Sequence, residues 1–178
     1  MKKGILLPIA VILAAALILF AASWGLNGIA NANAQAEHLS IMQTLLPGSE
    51  SFTLEPYAGE DDTIRSVHKA ENGYVIETVT RGYADDITML VGVSNRGTVT
   101  GLVVRDMAET FGLGAGALTD HVFLSQFLNT AGEAQVGEGV DAISGATVTS
   151  KAIARSVNSA VAFVTGADAD SGATAWGG

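Results

Sequence analysis

The chain has 178 residues, of which 48 % are hydrophobic and 15 % charged, and it contains no cysteine. This length accommodates one modest domain and one further segment, and it excludes a large multidomain enzyme. Without cysteine there is no disulfide scaffold, cysteine-ligated metal site or thiol nucleophile, so any redox chemistry must come from a bound organic cofactor. With 18 acidic and 9 basic residues, the chain also lacks the positive charge that nucleic-acid binding needs.

Hydrophobic residues are concentrated near the N-terminus. Residues 5–26 carry no charge, and as a helix these 22 residues would be roughly 33 Å long, enough to cross a hydrocarbon core of about 30 Å. Lys2 and Lys3 precede the run, so the positive-inside rule places the N-terminus in the cytoplasm and the rest of the chain outside. The alternative is a cleaved signal peptide ending at the A-x-A sequence of residues 32–34. Because that site lies well beyond an unusually long apolar run, we favour a retained anchor.

Outside this anchor the chain is strongly acidic. Once Lys2 and Lys3 are set aside, 7 basic and 18 acidic residues remain, a net charge of −11. We interpret this charge as a solvated surface that favours solubility. We divide the chain into an anchor helix (1–26), a juxtamembrane linker and helix (27–47), one domain (48–165) and a flexible tail (166–178).

After the anchor, a helix and four strands are predicted. Residues 27–36 are small and polar and predict a linker, and a short helix over 36–46 is expected to end at Pro47-Gly48. Strands at 64–70 and 74–81 flank Asn72-Gly73, a pair that favours a type I′ turn with positive φ at both positions. Strands at 87–94 and 98–105 flank residues 95–97, where Gly97 suits a left-handed position. The four strands predict an antiparallel meander.

The hydrophobic period changes after the sheet. Residues 106–116 predict a glycine-rich loop, and a helix over 119–128 is expected to begin at Thr119 and to place on one face Val122, Phe123, Phe127 and Leu128. A second loop at 131–140 precedes a helix over 148–164 with a buried stripe of Ile153, Val157, Ala160, Val161 and Val164. The sheet and these flanking helices predict an α+β domain.

Two other patterns are better explained without a ligand. GLGAGA at 112–117 matches the G-x-G-x-x-G/A fingerprint, but dinucleotide binding needs a βαβ unit, whereas the predicted strands pair as hairpins. We interpret it as a close-packed glycine turn. His38, His68 and His121 are too far apart for the usual ligand spacings, so we predict no metal site.

The sequence DAISGAT at 141–147 lies between a glycine-rich loop and a predicted helix. Free backbone N–H groups and the helix dipole at such a position suit an anionic phosphate, which Gly145 and Ala146 would allow to come close. Further polar contacts are offered by Ser144, Thr147, Thr149, Ser150 and Lys151. The alternative is a simple helix cap by a serine or threonine, which composition alone favours.

At these residues the chain resembles a known family. DAISGAT is similar to the D-x-x-S/T-G-A-T flavinylation motif of FMN-binding domains in the G subunit of the Rnf electron-transport complex and in the C subunit of the sodium-pumping NADH:quinone reductase. Residues 109–114 (ETFGLG) resemble the family's E-T-P-G-L-G loop, with Phe111 in place of proline. An N-terminal anchor followed by a small extracytoplasmic domain also fits, and the short chain resembles the Rnf protein more closely.

The resemblance implies that Thr147 carries FMN through a phosphoester bond to its hydroxyl. The flavin transferase that attaches the cofactor would recognise the other motif residues, which are Asp141, Ser144, Gly145 and Ala146. Thr110 and Leu113 would contact the isoalloxazine ring, and Thr149 would add a cofactor-binding hydroxyl. A covalent flavin would supply the electron chemistry that a chain without cysteine lacks.

A second copy of the motif, DADSGAT, occupies residues 168–174 near the C-terminus. It lacks the apolar residue before the serine, the amphipathic helix after the threonine and the glycine-rich loop upstream. We therefore predict that Thr174 is unmodified, as expected in a disordered segment.

The implied function is that of an electron-carrier subunit held in the cell membrane, with its domain outside the cytoplasm. Its partners would be the lipid bilayer and the other subunits of a complex that couples ferredoxin and NAD oxidation–reduction to ion translocation. No substrate pocket with a general base is predicted, so catalysis by this chain alone is not expected. The alternatives are the corresponding quinone reductase protein, a stand-alone extracytoplasmic flavoprotein, and a flavin-free anchored scaffold protein in which residues 144–147 only cap a helix.

Overall fold

The computed structural model describes residues 3–107, 120–132 and 134–167. Its elements are α1 (Lys3–Leu45), β1 (Thr53–Glu55), β2 (Ile64–Ala70), β3 (Gly73–Arg81), β4 (Asp86–Ser94), β5 (Val99–Met107), α2 (His121–Ser125) and α3 (Thr147–Thr165). The chain divides into two compact units, Met1–Ser40 and Ile41–Gly178. The first consists of most of α1, and the second has the α+β architecture predicted from the sequence.

Helix α1 is continuous from Lys3 to Leu45. The prediction of a linker at residues 27–36 was therefore wrong. Four of these ten residues are alanine, the strongest helix former, and a helix already formed on both sides extends across the single Gly28 at a cost of about 1 kcal/mol. The predicted end of the helix just before Pro47-Gly48 is confirmed.

The predicted anchor at residues 5–26 lies within α1, but most of its side chains, those of residues 5–12, 18 and 22–26, lie outside the described set. Within the described residues, no helix is long and apolar enough to cross a membrane.

The sheet has five antiparallel strands in the order β1-β2-β3-β4-β5. Its last four strands form the predicted meander, with bounds within two residues of those expected. The edge strand β1 was not predicted, because three residues, TLE, are too few to show an alternating pattern. It pairs with β2 from Thr53↔Lys69 to Glu55↔Val67.

The turn between β2 and β3 differs from the prediction by one residue. Ala70 pairs with Gly73, so the connecting residues are Glu71 and Asn72, and neither Asn72 nor Gly73 has a positive φ. Gly73 is instead required for close packing, because a Cβ there would clash with the carbonyl oxygen of Val93 on β4. The second predicted turn is confirmed, with Gly97 at φ +79°.

Helix α3 covers one face of the sheet with the predicted stripe. Ile153, Val157 and Ala160 are fully buried and share a core with sheet residues that include Ile76 and Met89. A polar contact adds to this packing, since Thr80 Oγ1 at the end of β3 donates to the Ala152 carbonyl (3.1 Å) and shares a hydrogen bond with Ser156 Oγ (2.9 Å). The first half of α3 is thereby fixed against the end of β3.

The other face of the sheet is covered by residues 41–46, which belong to the second unit. Met42, Leu45 and Leu46 pack with Val75 and Leu90 in a separate cluster. The Thr100 hydroxyl donates to the carbonyl of Leu45 (2.6 Å). With both faces covered, β4 is buried continuously from Met89 to Val93 and its sequence there is apolar apart from Gly92.

Helix α2 is shorter than predicted. It spans His121–Ser125, and its N-cap is Asp120, whose carboxylate accepts from the N–H of Phe123 (2.9 Å). The predicted start at Thr119 lies outside the described residues. Phe123 and Phe127 are buried as predicted, whereas Val122 and Leu128 are 78 % and 39 % exposed. Phe123 is buried within α2, and Phe127 is buried in the turn that follows it, so the continuous helical face predicted for all four residues does not form.

Candidate functional site

The candidate site is the start of α3, where Thr147 is the first helical residue. The N-cap is Ala146, with φ −129° and ψ 41°, and it makes no side-chain capping bond. The interpretation of Ser144–Thr147 as only a helix cap is therefore wrong, because neither Ser144 nor Thr147 occupies the N-cap position. Ala146 therefore offers the first-turn N–H groups of α3 no side-chain acceptor of the kind that serine or threonine supplies at an N-cap.

The residues before Thr147 form a tight turn. The Ala146 N–H donates to the carbonyl of Ile143 (2.9 Å), and Gly145 between them has φ +74°. A residue with a side chain adopts this left-handed conformation only at a cost, which explains a glycine at this position. Ser144, Gly145 and Thr147 are exposed, whereas Ala146 is 6 % exposed and faces the core.

The Ser150 hydroxyl holds this turn from inside the helix. Ser150 is fully buried, and its Oγ accepts from the Ile143 N–H (3.0 Å) and donates to the Ala146 carbonyl (2.9 Å). One side chain thus joins the first turn of α3 to both ends of the preceding loop. Ser150 was predicted only as one of several hydroxyls near the motif, and nothing in the sequence indicates that it holds the turn.

Gln126 holds the other end of the motif. Its side-chain Oε1 accepts from the Asp141 N–H (2.7 Å), and its Nε2 donates to the Asp141 carbonyl (3.2 Å). Gln126 is the C-cap residue of α2 and lies between the buried Phe123 and Phe127 in sequence. Sequence reasoning missed it, because a single glutamine after a short helix carries no recognisable signal.

The loop at 131–140 is also fixed by a side chain of α3. The Asn158 amide, 2 % exposed, accepts from the Ala134 N–H (3.0 Å) and donates to its carbonyl (3.1 Å). Gly132, Gly137 and Gly139 all have positive φ, which matches the predicted glycine-rich loop. This loop leads directly into Asp141.

The structure therefore brings together the motif residues Asp141, Ser144, Gly145, Ala146 and Thr147 on one short segment. Thr149 is 1 % exposed, so its hydroxyl faces the interior of the domain. Of the other predicted site residues, Thr110 and Leu113 lie outside the described part of the chain, as does Thr174 of the second motif copy.

A separate cavity of about 540 Å³ lies along the second half of α3, and Thr147 does not line it. Its half-buried Asp61 has a shifted pKa. Burial raises this pKa, but the Thr63 N–H (2.9 Å from Oδ1), the neighbouring hydroxyls and the Arg155 charge together hold it below its ordinary value. The buried Ser159 hydroxyl, one of these neighbours, faces the carboxylate without meeting the geometry of a normal hydrogen bond.

Comparison with known proteins identifies the domain. The FMN-binding domain family matches residues 82–162. The chain is 35 % identical over 139 residues to the G subunit of the ion-translocating oxidoreductase complex of Methanosarcina acetivorans, a match that covers 69 % of this chain and 72 % of the relative.

Two further relatives bear similar names. The G subunit of the Na⁺-translocating ferredoxin:NAD⁺ oxidoreductase complex of Acetobacterium woodii is 35 % identical over 100 residues, covering 50 % of this chain and 47 % of the relative. The G subunit of the proton-translocating ferredoxin:NAD⁺ oxidoreductase complex of Clostridium ljungdahlii is 35 % identical over 99 residues, covering 52 % and 53 %. The chain thus spans about half the length of these two relatives.

Among solved structures, the chain is similar to the crystal structure of Shewanella oneidensis NqrC, with a TM-score of 0.44, 24 % identity and 65 % coverage of both chains. The relative from Methanosarcina acetivorans, 35 % identical and matched over 72 % of its length, decides the family. The chain belongs to the family of FMN-binding G subunits of ion-translocating (Rnf-type) oxidoreductase complexes.

Proposed function

We propose that this chain is an electron-carrying subunit that bears FMN in a phosphoester bond to Thr147. The observation that carries the proposal is the state of that side chain. Thr147 is exposed at the first position of α3, and its hydroxyl makes no hydrogen bond within the described part of the chain. A free hydroxyl at the end of the family's flavinylation motif is available for modification.

The residues around Thr147 fit a phosphate. The N-cap residue Ala146 has no side-chain acceptor, and the positive end of the α3 dipole lies next to Thr147. A phosphodiester retains one negative charge there, which the dipole stabilises by about 0.3–1 kcal/mol. Gly145 adds no side chain that would obstruct the approach. Because Thr149 is buried, we propose that it contributes through its backbone.

Attachment requires an activated flavin donor, because direct condensation of FMN with an alcohol would have to expel water. A flavin dinucleotide meets this need. The Thr147 oxygen forms a bond to the phosphorus of the FMN half, the phosphoanhydride bond breaks, the nucleoside monophosphate leaves and the hydroxyl proton is released to solvent. We propose that a flavin transferase catalyses this step, which involves no oxidation or reduction.

Bound FMN would supply one-electron and two-electron transfer, and the chain would supply its position. We propose Thr110 and Leu113 as contacts of the isoalloxazine ring. By analogy with the names of its relatives, the chain would act with the other subunits of a complex that transfers electrons between ferredoxin and NAD⁺ and translocates an ion.

We also propose that residues 5–26 anchor the chain in the cell membrane, with the N-terminus in the cytoplasm and the domain outside. The support is the uncharged 22-residue run that follows Lys2 and Lys3. Fractionation of cells that express the full chain tests this directly. Recovery of the protein with membranes after a high-pH carbonate wash is expected, and recovery in the wash would contradict the proposal.

The covalent flavin is tested by producing the full chain with an active flavin transferase and measuring its intact mass. We expect the mass of one FMN less one water, absent in Thr147→Ala and retained in Thr147→Ser. Thr174→Ala is the matched control and is expected to keep the flavin. Flavin retained by Thr147→Ala and lost by Thr174→Ala would place the modification in the tail instead.

A further inference from the structure

The motif segment shows a division of roles among its side chains. Those of Asp141, Ser144 and Thr147 make no hydrogen bond or ion pair within the described part of the chain. All three residues are exposed. The motif side chains are thus free to be recognised by another protein, but they do not fix the conformation in which they are displayed.

The conformation is fixed by two side chains outside the motif. The Gln126 side chain binds both backbone groups of Asp141: its amide oxygen accepts from the N–H (2.7 Å) and its amide nitrogen donates to the carbonyl (3.2 Å). Ser150 binds the Ile143 N–H (3.0 Å) and the Ala146 carbonyl (2.9 Å) with one hydroxyl. Four hydrogen bonds therefore hold the backbone at the two ends of the motif.

Both residues are themselves tied to the core. Gln126 follows α2 directly and is followed by Phe127, which is fully buried. Ser150 is fully buried on the face of α3 that also contains Ile153. Their positions are therefore set by packing rather than by the loop, which is what a preorganised site requires.

We propose that Gln126 and Ser150 are positioning residues for flavin attachment, which hold the 141–147 segment in the shape that the flavin transferase recognises. This inference rests on the proposed function, since it concerns the modification of Thr147. Neither residue contacts the reacting hydroxyl. Each acts by raising the fraction of molecules in which the Thr147 hydroxyl is displayed in the reactive geometry.

The test is the initial rate at which the full chain incorporates flavin when a flavin dinucleotide is supplied with a limiting amount of transferase. Gln126→Met keeps the side-chain length and removes both bonds to Asp141, so we expect a rate about tenfold lower. Gln126→Glu keeps the acceptor for the Asp141 N–H and should give an intermediate rate. Ser150→Ala should reduce the rate by a similar factor.

Two matched controls separate positioning from general stability. Thr165→Ala removes a hydroxyl that donates to the Val161 carbonyl (3.0 Å) at the other end of α3, and Gln43→Ala removes an amide that donates to the Glu50 carbonyl (3.3 Å). Both are expected to incorporate flavin at the wild-type rate. Hydrogen exchange should become faster at the Asp141 amide in Gln126→Met and at the Ile143 amide in Ser150→Ala, and at neither amide in the two controls.

The outcomes distinguish this inference from the proposed function. Wild-type rates in Gln126→Met and Ser150→Ala, with no flavin in Thr147→Ala, would overturn the positioning role and leave the proposed function intact. A wild-type chain that takes up no flavin would overturn both. If Ser150→Ala does not fold, the half-buried Gln126 decides, because its replacement by methionine leaves the core unchanged.

Discussion

Two glycines at opposite ends of α3 have nearly the same backbone conformation. Gly145 precedes the helix with φ +74°, and Gly166 ends it with φ +72°. An alanine in the left-handed region costs about 1 kcal/mol or slightly more, because its Cβ approaches the following carbonyl. A Cβ at Gly166 meets nothing within 4 Å, so this backbone cost should be the whole effect there.

Gly145→Ala and Gly166→Ala should therefore lower the free energy of unfolding of the full chain by similar amounts, about 1 kcal/mol each, or about 3 °C in melting temperature. Flavin attachment should separate them. If the loop relieves about 1 kcal/mol of strain by adopting another turn, the fraction of molecules that keep the native turn falls by a factor of about five. Gly145→Ala should thus incorporate flavin about fivefold more slowly, whereas Gly166→Ala should match the wild type.

The assay pairs urea unfolding of each variant, followed by circular dichroism, with the initial rate of flavin incorporation. Equal destabilisation with equally slowed incorporation would refute the reasoning, since a general loss of stability would then explain both. A Gly145→Ala variant that is flavinylated at the wild-type rate would show that flavin attachment does not depend on the geometry of this turn.

Three further predictions concern the domain. Asp61→Asn should destabilise the domain at neutral pH by about 1 kcal/mol, because it removes the charged acceptor of the Thr63 N–H. The pKa of Asp61 is lowered in the folded state, so its carboxylate contributes to the free energy of unfolding above the unfolded pKa. This contribution is lost as the pH falls through the folded pKa. The melting temperatures of Asp61→Asn and wild type should therefore converge in acid. Gly73→Ala should destabilise the domain more than Gly145→Ala, because its Cβ would clash with the backbone carbonyl oxygen of Val93, and equal urea midpoints would contradict this. Ile153→Ala, at a fully buried position, should cost about 3 kcal/mol in urea unfolding, and a loss below about 1 kcal/mol would show that the α3 stripe does not hold the core.

The strands and α3 could be predicted because their sequence patterns agree with their burial. The turn signals at Asn72-Gly73 and at residues 95–97 divide residues 64–105 into four strands, and the apolar spacing from Ile153 onward gives a helix whose buried face is the observed one. The tripeptide β1 could not be found in this way. The prediction of Asn72-Gly73 as the turn was wrong because Gly73 is selected by its close contact with β4, which is a tertiary constraint.

The candidate site could be predicted only in part. The motif identified Thr147 and its neighbours, and the structure adds that the Thr147 hydroxyl is free within the described residues and that Ala146, not a hydroxyl residue, is the N-cap. The supporting bonds of Gln126 and Ser150 could not be predicted, because they join side chains to backbone atoms 15 and 7 residues away. Such contacts depend on how α2 and α3 approach, which no local pattern encodes.

The central claim is that Thr147 is the flavin-bearing residue. The most direct measurement is peptide mass spectrometry of the full chain after production with an active flavin transferase. A single FMN phosphoester on the peptide that contains residues 141–151, mapped to Thr147, is the expected result. An unmodified peptide from a protein that has been exposed to an active transferase, or a flavin mapped only to residues 168–178, would contradict the claim.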